Sequence, residues 1–167
     1  MKTARAFTLV EILIVVVILG ILAATVITMA AGSTLAAKES VVATDLQLLR
    51  NFILIYKAQH LEVAPGYPGG VTAAAPTQQA FIDQATLAST SSGATDIIGT
   101  AGYDRGPYMQ MLPTNPLNNG DRSIKVLNGT SFPVADNTTD WLYLPELSQI
   151  RANTTGVDSN GKNFYEY

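Results

Sequence analysis

One long apolar run, with a single carboxylate at its start, dominates the first third of the chain. Residues 12–37 include no charged side chain, and Glu11 stands directly before them. As an α-helix, about 26 residues would extend roughly 39 Å, which is enough to cross the hydrocarbon core of a bilayer. Lys2 and Arg5 precede the run, so the positive-inside rule predicts a cytoplasmic N-terminus with the remainder of the chain outside.

A second apolar pattern follows with the period of a helix. Its positions recur at spacings of four, three, four and three, and they are Val42, Leu46, Leu49, Ile53 and Tyr56. Such spacing places all five side chains on one helix face. Because the pattern lasts only about two heptads, it favours core packing over a coiled coil. We expect one helix from about residue 8 to about residue 60, stopped near Pro65 and Gly66.

The remaining chain has the pattern of loops and short strands. Residues 61–122 are rich in small and turn-forming residues and predict a long ordered loop, with one short helix at about residues 77–87 that has Phe81 and Ala85 on one face. Strand signals occur at residues 123–129 and 140–146, with a shorter one at 163–167. The predicted fold class is therefore α+β, a long N-terminal helix packed on a small antiparallel sheet of three or four strands.

Side chains of one predicted strand alternate along the sequence Trp141-Leu142-Tyr143-Leu144. We expect one pair to face the helix and the other pair to be more exposed. For Trp141, packing in the core or at the sheet edge is favoured over stacking on a ligand.

Composition excludes several kinds of chemistry. The chain has no cysteine and one histidine, so disulfides, thiolate metal sites and paired-histidine zinc sites are ruled out. The formal net charge is −3, and no basic run follows the first residues, so no nucleic-acid partner is predicted. We interpret His60, at the end of the long helix, as a capping or surface residue rather than a catalyst, and we expect no enzyme.

Three interpretations of the N-terminal segment are open. A cleaved secretory signal would have a shorter apolar region, and residues 30–32 are a weak cleavage site. A plain membrane anchor fits the length but leaves a carboxylate near the bilayer, which is costly. In the third interpretation, cleavage between Ala6 and Phe7 frees an α-amino group, and Glu11 of one subunit neutralises that amine on its neighbour.

The stretch "RAFTLVEILIVVVILGILAA" resembles the N-terminus of type IV prepilins and of the pseudopilins of type II secretion. The resemblance implies that the prepilin peptidase cuts after Ala6, where the family usually has Gly. It also implies that the new N-terminus, Phe7, is N-methylated, and that Glu11 acts in filament assembly. The implied organisation is a leader at residues 1–6, a transmembrane or filament-core helix at 7–31, an amphipathic half at 32–60, and a globular pilin-like domain at 61–167, with its loop region at 61–122 and its sheet at 123–167.

Two further stretches, "GYPGG" at residues 66–70 and "GPYMQMLPTNPL" at 106–117, are similar to segments of the major (G-type) pseudopilins. The resemblance implies a structural subunit that is exported through the inner membrane and polymerised into a type II secretion-like pseudopilus that aids protein export. A type IV pilus subunit for adhesion, motility or DNA uptake is the alternative. A membrane-anchored enzyme or binding module is less favoured, because no converging acid, base and nucleophile are evident.

The same resemblance implies partners and a location. The partners would be identical subunits, minor pilins or pseudopilins, the prepilin peptidase and an inner-membrane assembly platform. The protein would be an inner-membrane single-pass precursor first, and then part of a periplasmic or extracellular filament.

A possible metal site lies near the end of the chain. Asp158-Ser159-Asn160-Gly161 falls where major pseudopilins carry a calcium-binding loop, and Asp158 and Asn160 would be the ligands. An ordinary Asx turn explains the same residues equally well. No other cofactor is expected.

Overall fold

A computed structural model describes residues 8–118 and 120–167, and the side chains of all of these except residues 25–33. The chain divides into two compact units, Met1–Ala37 and Lys38–Tyr167. Helix α1 extends over Leu9–Gln59, with residues in both units. The expected helix from about residue 8 to about residue 60 is therefore confirmed.

The second unit has a core built on the predicted stripe of helix α1. All five stripe residues are buried, and Phe52 joins them. Helix α2, Gln78–Thr86, contributes Phe81 and Ala85 to the same core, as its sequence predicts. The Thr77 hydroxyl caps this helix by accepting a hydrogen bond from the Ala80 N–H at 3.1 Å.

Two short antiparallel strands interrupt the loop region. Strand β1, Ala88–Ser89, pairs with strand β2, Thr95–Asp96. A one-turn 3₁₀ helix, Pro68–Gly70, lies earlier in the same region.

The main sheet has three strands in the order β3, β4, β5. These are β3, Ile124–Val126, β4, Trp141–Leu144, and β5, Gln149–Ala152. Strands β4 and β5 are antiparallel, with Trp141 opposite Ala152. Strands β3 and β4 are parallel, with Ile124 opposite Trp141, and here the expectation of antiparallel pairing is wrong. Residues 127–140 form a connection of the length that parallel pairing needs, about a dozen residues.

Strand β4 lies between its two neighbours, and all four of its side chains are buried. Trp141 and Tyr143 belong to the core with helices α1 and α2, which confirms core packing for Trp141. Leu142 and Leu144 point to the opposite face and are equally buried. The expected difference in exposure is therefore wrong, because both faces of this central strand are covered.

The prediction of a last strand at residues 163–167 is wrong, and the third strand of the sheet lies earlier in the sequence. Residues 163–167 include a one-turn 3₁₀ helix, Phe164–Glu166, instead of a strand. The third strand of the sheet is β5, which follows another 3₁₀ turn, Pro145–Leu147, and Ser148 with a φ of 53°. This tight reversal after Pro145 returns the chain beside β4 at once.

Candidate functional site

The carboxylate of Glu11 belongs to a capping box at the start of helix α1. Its Oε2 accepts hydrogen bonds from the Thr8 N–H and the Thr8 hydroxyl, both at 2.8 Å, and the Glu11 N–H donates to the Thr8 hydroxyl at 3.2 Å. This is the reciprocal Thr-x-x-Glu arrangement that satisfies the free N–H groups of a helix N-terminus. Among the described residues, no donor contacts the other oxygen, Oε1. Oε2 thus completes the N-terminal cap of helix α1.

The capping box is a functional feature that the sequence argument missed. Its signal was present, because Thr8 precedes Glu11 by three residues at the edge of an apolar helix. The predicted cleavage and methylation site, Ala6 and Phe7, lies outside the described residues. The pairing of Glu11 with the amine of Phe7 therefore stays a prediction.

Helix α1 exposes apolar side chains on all sides between residues 9 and 22. Every large apolar residue in this segment is 51–83% exposed, and the set is Leu9, Val10, Ile12, Leu13, Ile14, Val15, Val16, Val17, Ile18, Leu19, Ile21 and Leu22. A helix that is apolar all round is typical of one covered by other apolar material. Over the residues that the structure describes, no helix is long and apolar enough to cross a membrane.

The predicted calcium ligands lie in a tight loop of the second unit. Asp158 Oδ1 accepts hydrogen bonds from the N–H groups of Asn160 and Lys162, each at 2.8 Å, and Oδ2 accepts one from the Tyr167 hydroxyl at 2.6 Å. The Tyr167 hydroxyl, followed by the Lys162 N–H, lowers the pKa of Asp158. The same hydrogen bond raises the pKa of Tyr167 to about 12. This geometry is that of an Asx turn.

Asn160 is exposed, and its backbone N–H donates to Asp158 Oδ1 at 2.8 Å. No three His, Cys, Asp or Glu side chains come together as a possible metal site within the described part of the chain. Calcium binding stays a prediction.

The single histidine is a structural residue of the core. His60 Nδ1 lies 2.8 Å from the Tyr56 carbonyl oxygen, so Nδ1 carries the proton and caps the end of helix α1. Nε2 then accepts from the Ser89 hydroxyl at 2.9 Å, and the His60 ring stacks on the Tyr56 ring at 3.7 Å. His60 and Ser89 are at most 1% exposed. The capping interpretation is confirmed, the surface interpretation is wrong, and no substrate could reach this Ser-His pair.

Burial lowers the pKa of His60, and the positive charge of Arg105 lowers it further, although its hydrogen bond to the Tyr56 carbonyl acts in the opposite direction. The neutral ring is therefore favoured in the folded protein.

A buried polar cluster holds the segment 106–117 against the sheet. The Asn115 N–H donates to Asp140 Oδ2 at 3.0 Å, and its side-chain amide donates to the Thr154 hydroxyl at 2.7 Å. Trp141 Nε1–H donates to the Pro113 carbonyl at 3.0 Å. Asn115 and Asp140 are fully buried. Residues 106–117, the stretch that resembles a pseudopilin segment, are thus held against the sheet by buried hydrogen bonds.

Comparison with known proteins gives one match. Residues 1–27 match the family described as the prokaryotic N-terminal methylation motif. This motif is of the kind found in type IV pilin-like prepilin leaders. No curated protein and no solved structure matches the chain significantly.

Proposed function

We propose that this protein is a structural subunit that polymerises into a helical filament through its N-terminal helix. The observation that carries the proposal is the N-terminal methylation motif at residues 1–27, which includes a helical segment, residues 9–22, with apolar side chains on every face. A motif alone marks processing, and an apolar helix alone marks an anchor. Together they favour a subunit that leaves the membrane and buries the same helix among its neighbours.

In this proposal the apolar surface of residues 9–22 is covered first by the membrane and then by neighbouring subunits of the filament. Before assembly, the uncharged run of residues 12–37 spans the inner membrane as a single-pass precursor with a cytoplasmic N-terminus. After cleavage between Ala6 and Phe7, the helices of neighbouring subunits cover one another. Such contacts are heterologous and open, and they generate fibres rather than closed rings.

Glu11 has two roles in the proposal. Within one subunit, Oε2 completes the capping box with Thr8. Between subunits, the carboxylate neutralises the methylated amine of Phe7, which becomes the N-terminus after cleavage. A subunit without this pairing would bury an amine or a carboxylate alone among apolar helices, and such burial is strongly unfavourable.

Within this class, we favour a type II secretion-like pseudopilus that aids protein export. The support is the segment 106–117, which resembles the major pseudopilins and is fixed in the core through Asn115 and Trp141. The alternative is a type IV pilus for adhesion, motility or DNA uptake. The partners proposed are identical and minor subunits, the prepilin peptidase and an inner-membrane assembly platform.

The test compares Glu11→Ala, Glu11→Gln and Thr8→Ala for incorporation into sheared filaments of the host, with membrane levels measured in parallel. Gln at the third helical position also completes a capping box, so Glu11→Gln removes the charge and keeps the cap. Thr8→Ala removes the hydroxyl of the capping box and keeps the charge of Glu11. The proposal predicts that both Glu11 variants accumulate in membranes and disappear from filaments, whereas Thr8→Ala still assembles.

Normal incorporation of Glu11→Gln would contradict the charge pairing and leave Glu11 only as a helix cap. A wild-type chain that stays in the membrane fraction would contradict the filament function itself. Deletion of the protein separates the two filament types. Loss of exported proteins from the medium would favour the pseudopilus, and loss of surface filaments with normal export would favour the pilus.

A further inference from the structure

The loop between Gly156 and Asn163 is closed by its own backbone. Asp158 N–H donates to the Lys162 carbonyl at 2.8 Å, and Gly161 N–H donates to the Asp158 carbonyl at 3.0 Å. Gly161 has a φ of 82°, which favours glycine at this turn. These bonds define a tight turn without reference to any other part of the fold.

A carboxylate of helix α1 holds the turn from outside. Glu39 Oε1 accepts a hydrogen bond from the Ser159 N–H at 3.0 Å, and Oε2 accepts one from the Ser159 hydroxyl at 2.9 Å. Glu39 is 8% exposed and lies 120 residues before Ser159 in the chain. A buried carboxylate that accepts two hydrogen bonds from one residue is a specific fastening, because charge-assisted bonds of this kind are the stronger ones.

The donor set around this loop does not fit a calcium ion. All four carboxylate oxygens of Glu39 and Asp158 accept hydrogen bonds, and the donors are three backbone N–H groups and two hydroxyls. Calcium requires six to eight oxygen ligands at about 2.3–2.6 Å. Here the positive ends of N–H dipoles point at the oxygens that the ion would need.

We propose that this loop is fastened to helix α1 by a metal-free carboxylate clasp, in which Glu39 binds Ser159 while Asp158 binds the Asn160 and Lys162 N–H groups and the Tyr167 hydroxyl. The clasp replaces the calcium ion that the family resemblance implies at Asp158 and Asn160. It concerns the fold of the second unit and does not depend on the filament function.

Hydrogen–deuterium exchange of the full-length chain in detergent micelles tests the clasp, with the segment 156–163 followed by mass spectrometry. We expect the same protection of this segment in excess calcium and in excess EGTA. In Glu39→Ala, we expect protection to fall by about tenfold, as for the loss of a charge-assisted hydrogen bond. Glu146→Ala, which removes an exposed carboxylate elsewhere in the same unit, is the matched control and should change nothing.

A double-mutant comparison adds specificity. Ser159→Ala removes only the hydroxyl and should reduce protection less than Glu39→Ala does. The double variant should be no worse than Glu39→Ala, because both changes act on one contact. Protection that appears only with calcium, or full protection in Glu39→Ala, would overturn the proposal, as would additive effects in the double variant.

Discussion

Leu46 and Leu48 lie two residues apart on helix α1, and only one of them belongs to the core. Leu46 is 0% exposed and packs in the core of the second unit, whereas Leu48 is 47% exposed. Replacing each leucine with alanine therefore compares a buried and an exposed position on the same helix.

The expected magnitudes follow from these burials. Leu46→Ala removes a fully buried isopropyl group, which costs about 2 kcal/mol in transfer free energy, and the cavity raises the total to about 2–5 kcal/mol. Leu48→Ala loses about half of the transfer term, or about 1 kcal/mol, and the higher helix propensity of alanine offsets part of it. We expect Leu46→Ala to destabilise the fold at least about twice as much as Leu48→Ala.

Urea unfolding of the full-length chain in detergent micelles measures the difference, with Trp141 fluorescence as the signal. Trp141 is the only tryptophan and is fully buried in the same core as Leu46. The midpoint should fall in Leu46→Ala with the slope unchanged. Equal midpoints for the two variants, or a lower one for Leu48→Ala, would refute the packing argument.

Three further predictions follow from the second unit. The folded state lowers the pKa of His60. We therefore expect the stability contribution of the neutral His60 ring to be complete above the unfolded pKa of about 6.5 and to decline as the pH falls toward the folded pKa. Urea midpoints measured as a function of pH should not show this decline in His60→Gln. Asn115→Ala removes the buried side-chain amide that donates to the Asp140 carbonyl and to the Thr154 hydroxyl, and thermal unfolding should show a loss of about 2 kcal/mol or more. Gly93 has a φ of 98°, and a Cβ at this position would lie 2.8 Å from the Tyr56 hydroxyl. Gly93→Ala should therefore lower the free energy of unfolding in urea by about 1–3 kcal/mol. An unchanged free energy of unfolding would contradict this prediction.

Helical periodicity predicted the main element of the fold and the residues it buries. The stripe from Val42 to Tyr56 is buried because a spacing of four and three residues keeps side chains on one helix face. Phe81 and Ala85 were predicted for the same reason on the short helix. The helical period determines which side chains share a face, so the sequence alone was sufficient to predict these buried residues.

Strand pairing depended on information that local patterns lack. The parallel pairing of Ile124 with Trp141 is set by the path of residues 127–140, and no period in the sequence encodes that path. Strand β5 contains Gln149 and Arg151 and has little strand signal, so its place beside β4 comes from the turn after Pro145. The burial of Leu142 likewise depends on how the opposite face of the sheet is covered.

The candidate site was predictable where a motif fixes chemistry and was missed where the contact is long-range. The methylation motif at residues 1–27 was recognised from its sequence. The bond between Glu39 and Ser159 joins residues 120 positions apart, and no sequence spacing could indicate it. The capping box of Glu11 is a local contact, and its sequence signal is Thr8 three residues before Glu11.

Filament assembly is tested most directly by the intact mass and N-terminal sequence of the subunit isolated from sheared filaments of its host. We expect a chain that starts at Phe7, carries a methyl group on its N-terminal amine and lacks residues 1–6. A filament subunit that still starts at Met1, or an unmethylated chain cut at another position, would contradict the processing on which the proposed assembly and the pairing of Glu11 depend.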